Sequence, residues 1–249
     1  MQTIENVVER LDRITEDSML DFDPMGYFSA AYYAASTKIM VGVRHNVFEQ
    51  SHVVEDIYLT MSDRFFDERS TFMKDTKTTG AWQSSFGYLD SMFSMVLQQV
   101  MTGIHVHVSL DLAVAVAQVG GERIDRLKGD FDKVFDMFKI TAERVEEDMT
   151  DRWPTTKFVL KIFGVLDSYF VHYNFEKARE ETWAFAKELA QATPADKESL
   201  IKQRNEVVAQ KTKLVKYPGV IMTVVFAVMR MFELGNVAKK TQRLMSLWK

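Results

Sequence analysis

Apolar residues recur at helical spacing along almost the whole chain, and that regularity narrows the fold more than any motif does. Ile4, Val7, Val8, Leu11 and Ile14 set the pattern, and no stretch of strand-like alternation interrupts it over a useful length. Breaks are few, because the 249 residues include only 11 glycines and 4 prolines, too few for a turn-rich all-β fold. Asp23-Pro24 starts a helix over about 24–48, since proline suits a first turn. Ser51 can cap a third helix through Val54, Ile57, Met61 and Phe65. A polar loop is expected at 75–80. Ser84 or Ser85 then opens a long helix that stops at Gly120-Gly121. Further helices are expected over about 122–151, 156–171 and 176–192. Thr193-Pro194-Ala195-Asp196 joins a capping threonine to proline and an acidic first turn. It starts a polar, surface-lying helix to about residue 213, and Tyr217-Pro218-Gly219 precedes a last helix to about 248. The expected architecture is all-α: one domain over 1–249, a bundle of about eight or nine helices, with two C-terminal helices in 193–249.

Composition removes several function classes. The net charge of −4 and the lack of a Lys/Arg-rich run argue against general nucleic-acid binding. Absence of cysteine excludes disulfides, thiolate catalysis and cysteine-type zinc sites. The first residues, Met1-Gln2-Thr3-Ile4-Glu5-Asn6, lack a signal-peptide layout, so a cytoplasmic location is expected. The most apolar run, 220–229, is cut by Arg230 and is too short to span a bilayer. It reads as a core helix, and no transmembrane segment is expected. No phosphate-binding glycine loop, Gly-x-Ser-x-Gly element or dinucleotide fingerprint is present. Fifteen methionines and eighteen phenylalanines supply adaptable apolar space. They suit an ordinary core, or a pocket for a flexible lipophilic molecule. A small apolar molecule is therefore the expected partner, and a homodimer is compatible with the sequence.

Chemistry concentrates in Gly103-Ile104-His105-Val106-His107-Val108-Ser109-Leu110-Asp111-Leu112. On a helical wheel His107 and Asp111 share the apolar stripe with Val96, Val100, Ile104 and Val114, whereas His105 falls on almost the opposite side. Three readings of His107 and Asp111 stand side by side: a mutually satisfied buried pair, a pair of metal ligands, or a histidine oriented by a carboxylate for acid–base work. Gly103 lies one turn away on the same face and suggests close approach of a neighbour or ligand. Asp130 opens a first helical turn if Gly129 interrupts the helix, and a hairpin at Gly120-Gly121 would bring it to Asp111. Arg64 is expected to pair with a buried carboxylate such as Asp111, or to hold an anionic group. His107, Asp111, Asp130 and Arg64 are thus the candidate catalytic residues. The first three are candidate ligands for a divalent metal, magnesium or zinc. Glu147-Asp148-Met149-Thr150-Asp151 resembles the acidic motif of class I terpene cyclases, though Arg144 can pair with Asp148 at i,i+4. Arg179 is expected beside Trp183, His45 and His52 in solvent, and Tyr32 and Tyr33 near a pocket.

Beyond single motifs, the order of Asp23-Pro24-Met25-Gly26-Tyr27-Phe28, Tyr32, Phe48, Asp63-Arg64-Phe65-Phe66, Trp82, the 103–112 segment, Asp130-Phe131 with Val134, and Arg179 with Trp183 and Ala186 resembles the proteins grouped as domain of unknown function 5995. The resemblance covers most of 1–190, with 1–192 as the family-like core. It implies a helical fold but no mechanism. It places His107 and Asp111 at the family's histidine and aspartate, while His105, Ser109 and Phe135 stand where asparagines are typical. That departure implies a less polar site and a lipophilic substrate. The His-x-x-x-Asp step is also similar to zinc-dependent phospholipases C, but five histidines are too few for a trinuclear zinc site. The leading expectation is a small-molecule enzyme of specialised metabolism, a lyase or cyclase. The alternatives are a metal-dependent phosphoester hydrolase and a non-catalytic binder of lipophilic ligands.

Overall fold

A computed structural model describes residues 2–74, 77–87, 95–152, 174–217, 219–233 and 235–248. It is 87% helical and all-α, with nine continuous helical segments and no strand among the described residues. The first four are α1 (Ile4–Leu20), α2 (Met25–Arg44), α3 (Ser51–Met73) and α4 (Gly80–Phe86). A long segment follows, in which α5 (Val96–Val106) passes through a π turn (His107–Asp111) into α6 (Leu112–Gly120). A 3-10 stretch (Gly121–Leu127) then leads into α7 (Lys128–Arg152). The chain closes with α8 (Phe175–Gln191), α9 (Pro194–Lys216), α10 (Val220–Phe232) and α11 (Val237–Ser246). The helix expected over 156–171 lies outside the described residues, as does His172.

The centre of the bundle is α5–π–α6. Every residue from Val96 to Ala117 is buried, enclosed by α2, α3, α4, α7, α8 and α9. A helix apolar all round is a helix buried all round. The apolar window in Val96–Asp148 that is long enough to cross a bilayer is wholly inside the fold. Gly121, at φ +46°, reverses the chain and folds α7 back along α5.

Several boundaries differ from expectation. Helix α2 ends at Arg44 rather than 48, where Asn46 takes a positive φ. The long helix expected from Ser84 or Ser85 is divided: α4 closes at Phe86 and α5 starts at Val96. Gly129 does not interrupt α7. Three helices, not two, follow Thr193, because Gly235 turns the chain and the Asn236 side chain accepts from Lys239 N at 3.0 Å to start α11. Among the described residues of α10, Phe226 and Met229 are buried, but Val220, Val224, Val228 and Met231 are exposed.

Side-chain oxygens from distant parts of the chain close several helix starts. Glu233 Oε1 accepts from Val96 N at 3.1 Å, at the head of α5. Asn205 does the same for Ala81 N in α4 at 2.8 Å, from α9. Such groups neutralise amides that a helix leaves unbonded in its first turn.

Candidate functional site

Two polar groups occupy opposite faces of the central helix. The first is the His107–Asp111 cluster. The two side chains are fully buried, and His107 Nδ1 lies 3.0 Å from Asp111 Oδ2. Trp82 Nε1 from α4 donates to the same oxygen at 3.0 Å, and Arg64 Nε from α3 donates to Oδ1 at 2.9 Å. Arg64 therefore meets Asp111 as expected. Because the Asp111 carboxylate accepts throughout, His107 Nδ1 is the donor, and Nε2 is left as an acceptor in the neutral ring. Burial holds the His107 ring below the usual histidine pKa, against the opposing pull of Asp111. Nε2 makes no hydrogen bond among the described residues.

Aromatic rings enclose that imidazole. Tyr32 is closest, with ring centroids 4.3 Å apart, followed by Phe138 at 5.6 Å, then Phe65, Trp82 and Phe28 at about 6 Å. Tyr32 turns its hydroxyl away to Ser62 Oγ, 2.6 Å distant. Gly103 explains how α2 comes so near: a Cβ there would lie 2.3 Å from the Phe28 ring. The neighbour implied by Gly103 is thus Phe28.

Asp130 does not join this cluster. Its two oxygens accept from Glu49 N and Gln50 N, each at 2.8 Å, and Lys133 lies 3.6 Å away. The residue of α7 that reaches His107 is Phe138. A 3-10 stretch rises about 2.0 Å per residue against about 1.5 Å in an α-helix, so Gly121–Leu127 shifts the hairpin register away from an Asp111–Asp130 pairing. His107, Asp111 and Asp130 consequently do not form a ligand set. Among the described residues no group of three or more His, Asp or Glu side chains is arranged for a metal.

Other expected pairs are also redrawn. Arg179 pairs with Asp136 and stacks over Phe135 at 5.5 Å, and Lys128 rather than Arg179 lies over Trp183. In the acidic 147–151 segment, Asp148 binds Arg243 of α11, while Arg144 sits over Trp248. His45 and His52 are exposed, as expected.

The second polar group faces α8 and α9. His105 Nδ1 and Ser109 Oγ are 3.2 Å apart, and both residues are buried. They form part of the floor of a cleft of about 720 Å³. One wall is α9, with Arg204, Val208, Lys211 and Val215, and α8 adds Lys177, Ala178 and Glu181. Arg204 Nε donates to the Ser109 carbonyl at 3.0 Å, and Lys211 pairs with Glu181. Burial, reinforced by the positive charges of Lys211 and Arg204, pushes the His105 pKa down to about 3. Sequence reasoning set His105 aside because it falls opposite His107. The missed signals were the i,i+4 spacing of His105 and Ser109, and the apolar positions Val207, Val208, Leu214 and Val215 inside an otherwise polar helix.

Fold and site together define an all-α protein with a closed polar cluster at its centre and an open, mixed-polarity cleft beside it. The chain belongs to the family of unknown function DUF5995, whose profile matches residues 4–218. That match runs through α9 and so includes the described cleft residues except Gly219. No curated protein matches the chain, and no solved structure matches it.

Proposed function

We propose that the protein binds a small, largely apolar molecule in the cleft between α5, α8 and α9. The observation that carries this reading is the cleft itself: about 720 Å³, within the roughly 300–1,000 Å³ range of ligand sites, with apolar walls and a few convergent polar groups. On this reading the His107–Asp111–Arg64–Trp82 cluster is an internal brace that ties α3 and α4 to the central helix. Val208, at 1% exposure on the floor side of α9, is the residue to block. Val208→Trp is expected to weaken binding of a neutral apolar dye such as Nile red at least tenfold, about 1.4 kcal/mol. Equal dye binding by wild type and by a folded Val208→Trp chain would refute the cleft as the site.

A second reading is favoured by one observation, the Nε2 of His107, which has no hydrogen-bond partner among the described residues and lies amid aromatic rings. A small-molecule lyase or cyclase would use that nitrogen as acid or base, with Asp111 and Arg64 orienting the ring and aromatic faces stabilising positive charge. This reading requires a new product in a host making the wild-type chain and none in a host making His107→Gln. Identical extracts from the two hosts would count against it.

A further inference from the structure

We infer that the cleft ligand is a single-chain amphiphile with an anionic head group, its head lying beside Arg204 and Lys211 and its chain running toward Tyr217. The inference rests on the cleft being the ligand site and adds the class of ligand.

Charge around the cleft points to an anion. The chain as a whole carries a net charge of −4, yet among the described residues of the cleft Lys177, Arg204 and Lys211 stand against one carboxylate, Glu181, itself paired with Lys211. Lys177 is exposed at the rim and makes no ion pair among the described residues. A positive cleft on a negative protein concentrates anions locally. His105 adds no charge, because burial and the two neighbouring cations keep its ring neutral.

Charge is graded along α9. Arg204, bonded to the Ser109 carbonyl, marks one end, and Lys211 follows seven positions further along the helix. Beyond Lys211 the cleft residues of α9 are the uncharged Leu214, Val215 and Tyr217, and α5 contributes Met101 and Gln98, whose Nε2 donates to the Val215 and Lys216 carbonyls. Arg204 and Tyr217 are thirteen positions apart on or at the end of α9, which spans about 20 Å at roughly 1.5 Å per residue. That length suits an extended alkyl chain, whereas a compact anion would leave the apolar end unfilled. Burying each methylene of an alkyl chain adds to affinity, so chain length and head charge contribute separately and can be tested separately.

The test uses the full chain and four competitors for bound Nile red: dodecanoate, dodecanol, dodecyltrimethylammonium and inorganic phosphate. Dodecanoate is expected to displace the dye at least tenfold more tightly than dodecanol, a gap of about 1.4 kcal/mol, with the cationic amphiphile weakest and phosphate ineffective. Lys177→Gln, at an exposed position that leaves packing untouched, should narrow the gap severalfold without changing dodecanol binding. Arg204→Gln should narrow it further, with circular dichroism confirming the fold. Equal binding of dodecanoate and dodecanol would overturn the anionic head while leaving the cleft as an apolar site. Displacement by phosphate as good as by dodecanoate would overturn the amphiphile. Failure of every competitor and of the dye would instead remove the cleft as the ligand site.

Discussion

At the scale of single residues, Asp111 has the largest consequences. It collects three donors, from Arg64, Trp82 and His107, at 2.9–3.0 Å. Asp111→Ala strands the Trp82 and His107 donors in a dry interior and leaves Arg64 unpaired, which costs about 3–5 kcal/mol. Asp111→Asn keeps an accepting oxygen and should cost clearly less. Urea unfolding of both variants checks the order, and equal losses would mean that charge, not hydrogen bonding, matters. His105 makes a pH-dependent prediction. Its folded-state pKa of about 3 lies below the 6.5 of an unperturbed histidine, so the unfolded chain takes up a proton that the folded chain refuses. The stability it contributes is complete above about pH 6.5 and is lost as pH falls toward 3, with a slope of at most about 1.4 kcal/mol per pH unit. His107, also lowered by burial, acts in the same direction. His105→Gln should flatten that acid limb relative to wild type, and parallel curves for the two proteins would contradict the assignment. The His107–Asp111 and Arg64–Asp111 contacts were legible in the sequence because i,i+4 spacing and one buried carboxylate in need of a cation are local or chemical facts. The place of His105, opposite His107, was legible too, but its surroundings were not, because a central helix buried all round has no idle face and its neighbours on that side come from α8 and α9.

At the scale of elements, the recurring device is a helix start closed by a residue far away in sequence. Ser51 was expected to cap α3, but no side chain caps its first turn; instead Asp130, on α7, accepts from Glu49 N and Gln50 N, the two amides that lead into the helix. No local pattern announces such a cap, since the two partners are 80 and 81 positions apart. The same reason explains why Asp130 looked like a site residue: a buried acid in a first helical turn reads alike whether it serves its own helix, another helix or a ligand. Helix caps with local chemistry were readable, as Thr193-Pro194 shows for α9. Asp130→Ala should therefore destabilise the fold by about 1–3 kcal/mol, the usual cost of losing a charged acceptor from part-buried amides. Asp130→Asn, which keeps one acceptor, should recover part of the loss. Hydrogen exchange at the amides of Glu49 and Gln50 is the specific readout. Faster exchange there in Asp130→Ala marks the loss of the cap, whereas unchanged exchange with a large stability loss would show that Asp130 works elsewhere.

At the scale of the whole molecule, the family match and the folding unit do not coincide. The match ends at residue 218, yet the helices beyond it hold the front of the bundle together. Glu233 accepts the first amide of α5 and forms a buried ion pair with Lys240 at 3.1 Å. Arg243 of α11 binds Asp148 of α7. Thr241 packs where a Cβ on Gly26 of α2 would stand, with Oγ1 only 3.0 Å from that point. Helix α11 thus lies directly on α2 and also packs on α1, burying Leu244 and Met245. A chain cut after residue 218 would expose those faces, leave Val96 N without its acceptor and leave Asp148 without Arg243. With domain stabilities of only about 5–15 kcal/mol, the sum of these losses is enough to abolish a cooperative fold. The 1–218 chain is expected to lose its near-ultraviolet circular dichroism and its sharp urea transition, and to regain both when a 219–249 peptide is added. Were 1–218 to unfold cooperatively within about 1 kcal/mol of the full chain, α10 and α11 would be an appendage. The exposed apolar side of α10, with Val220, Val224 and Met231, would then belong to a surface that the bundle itself does not need.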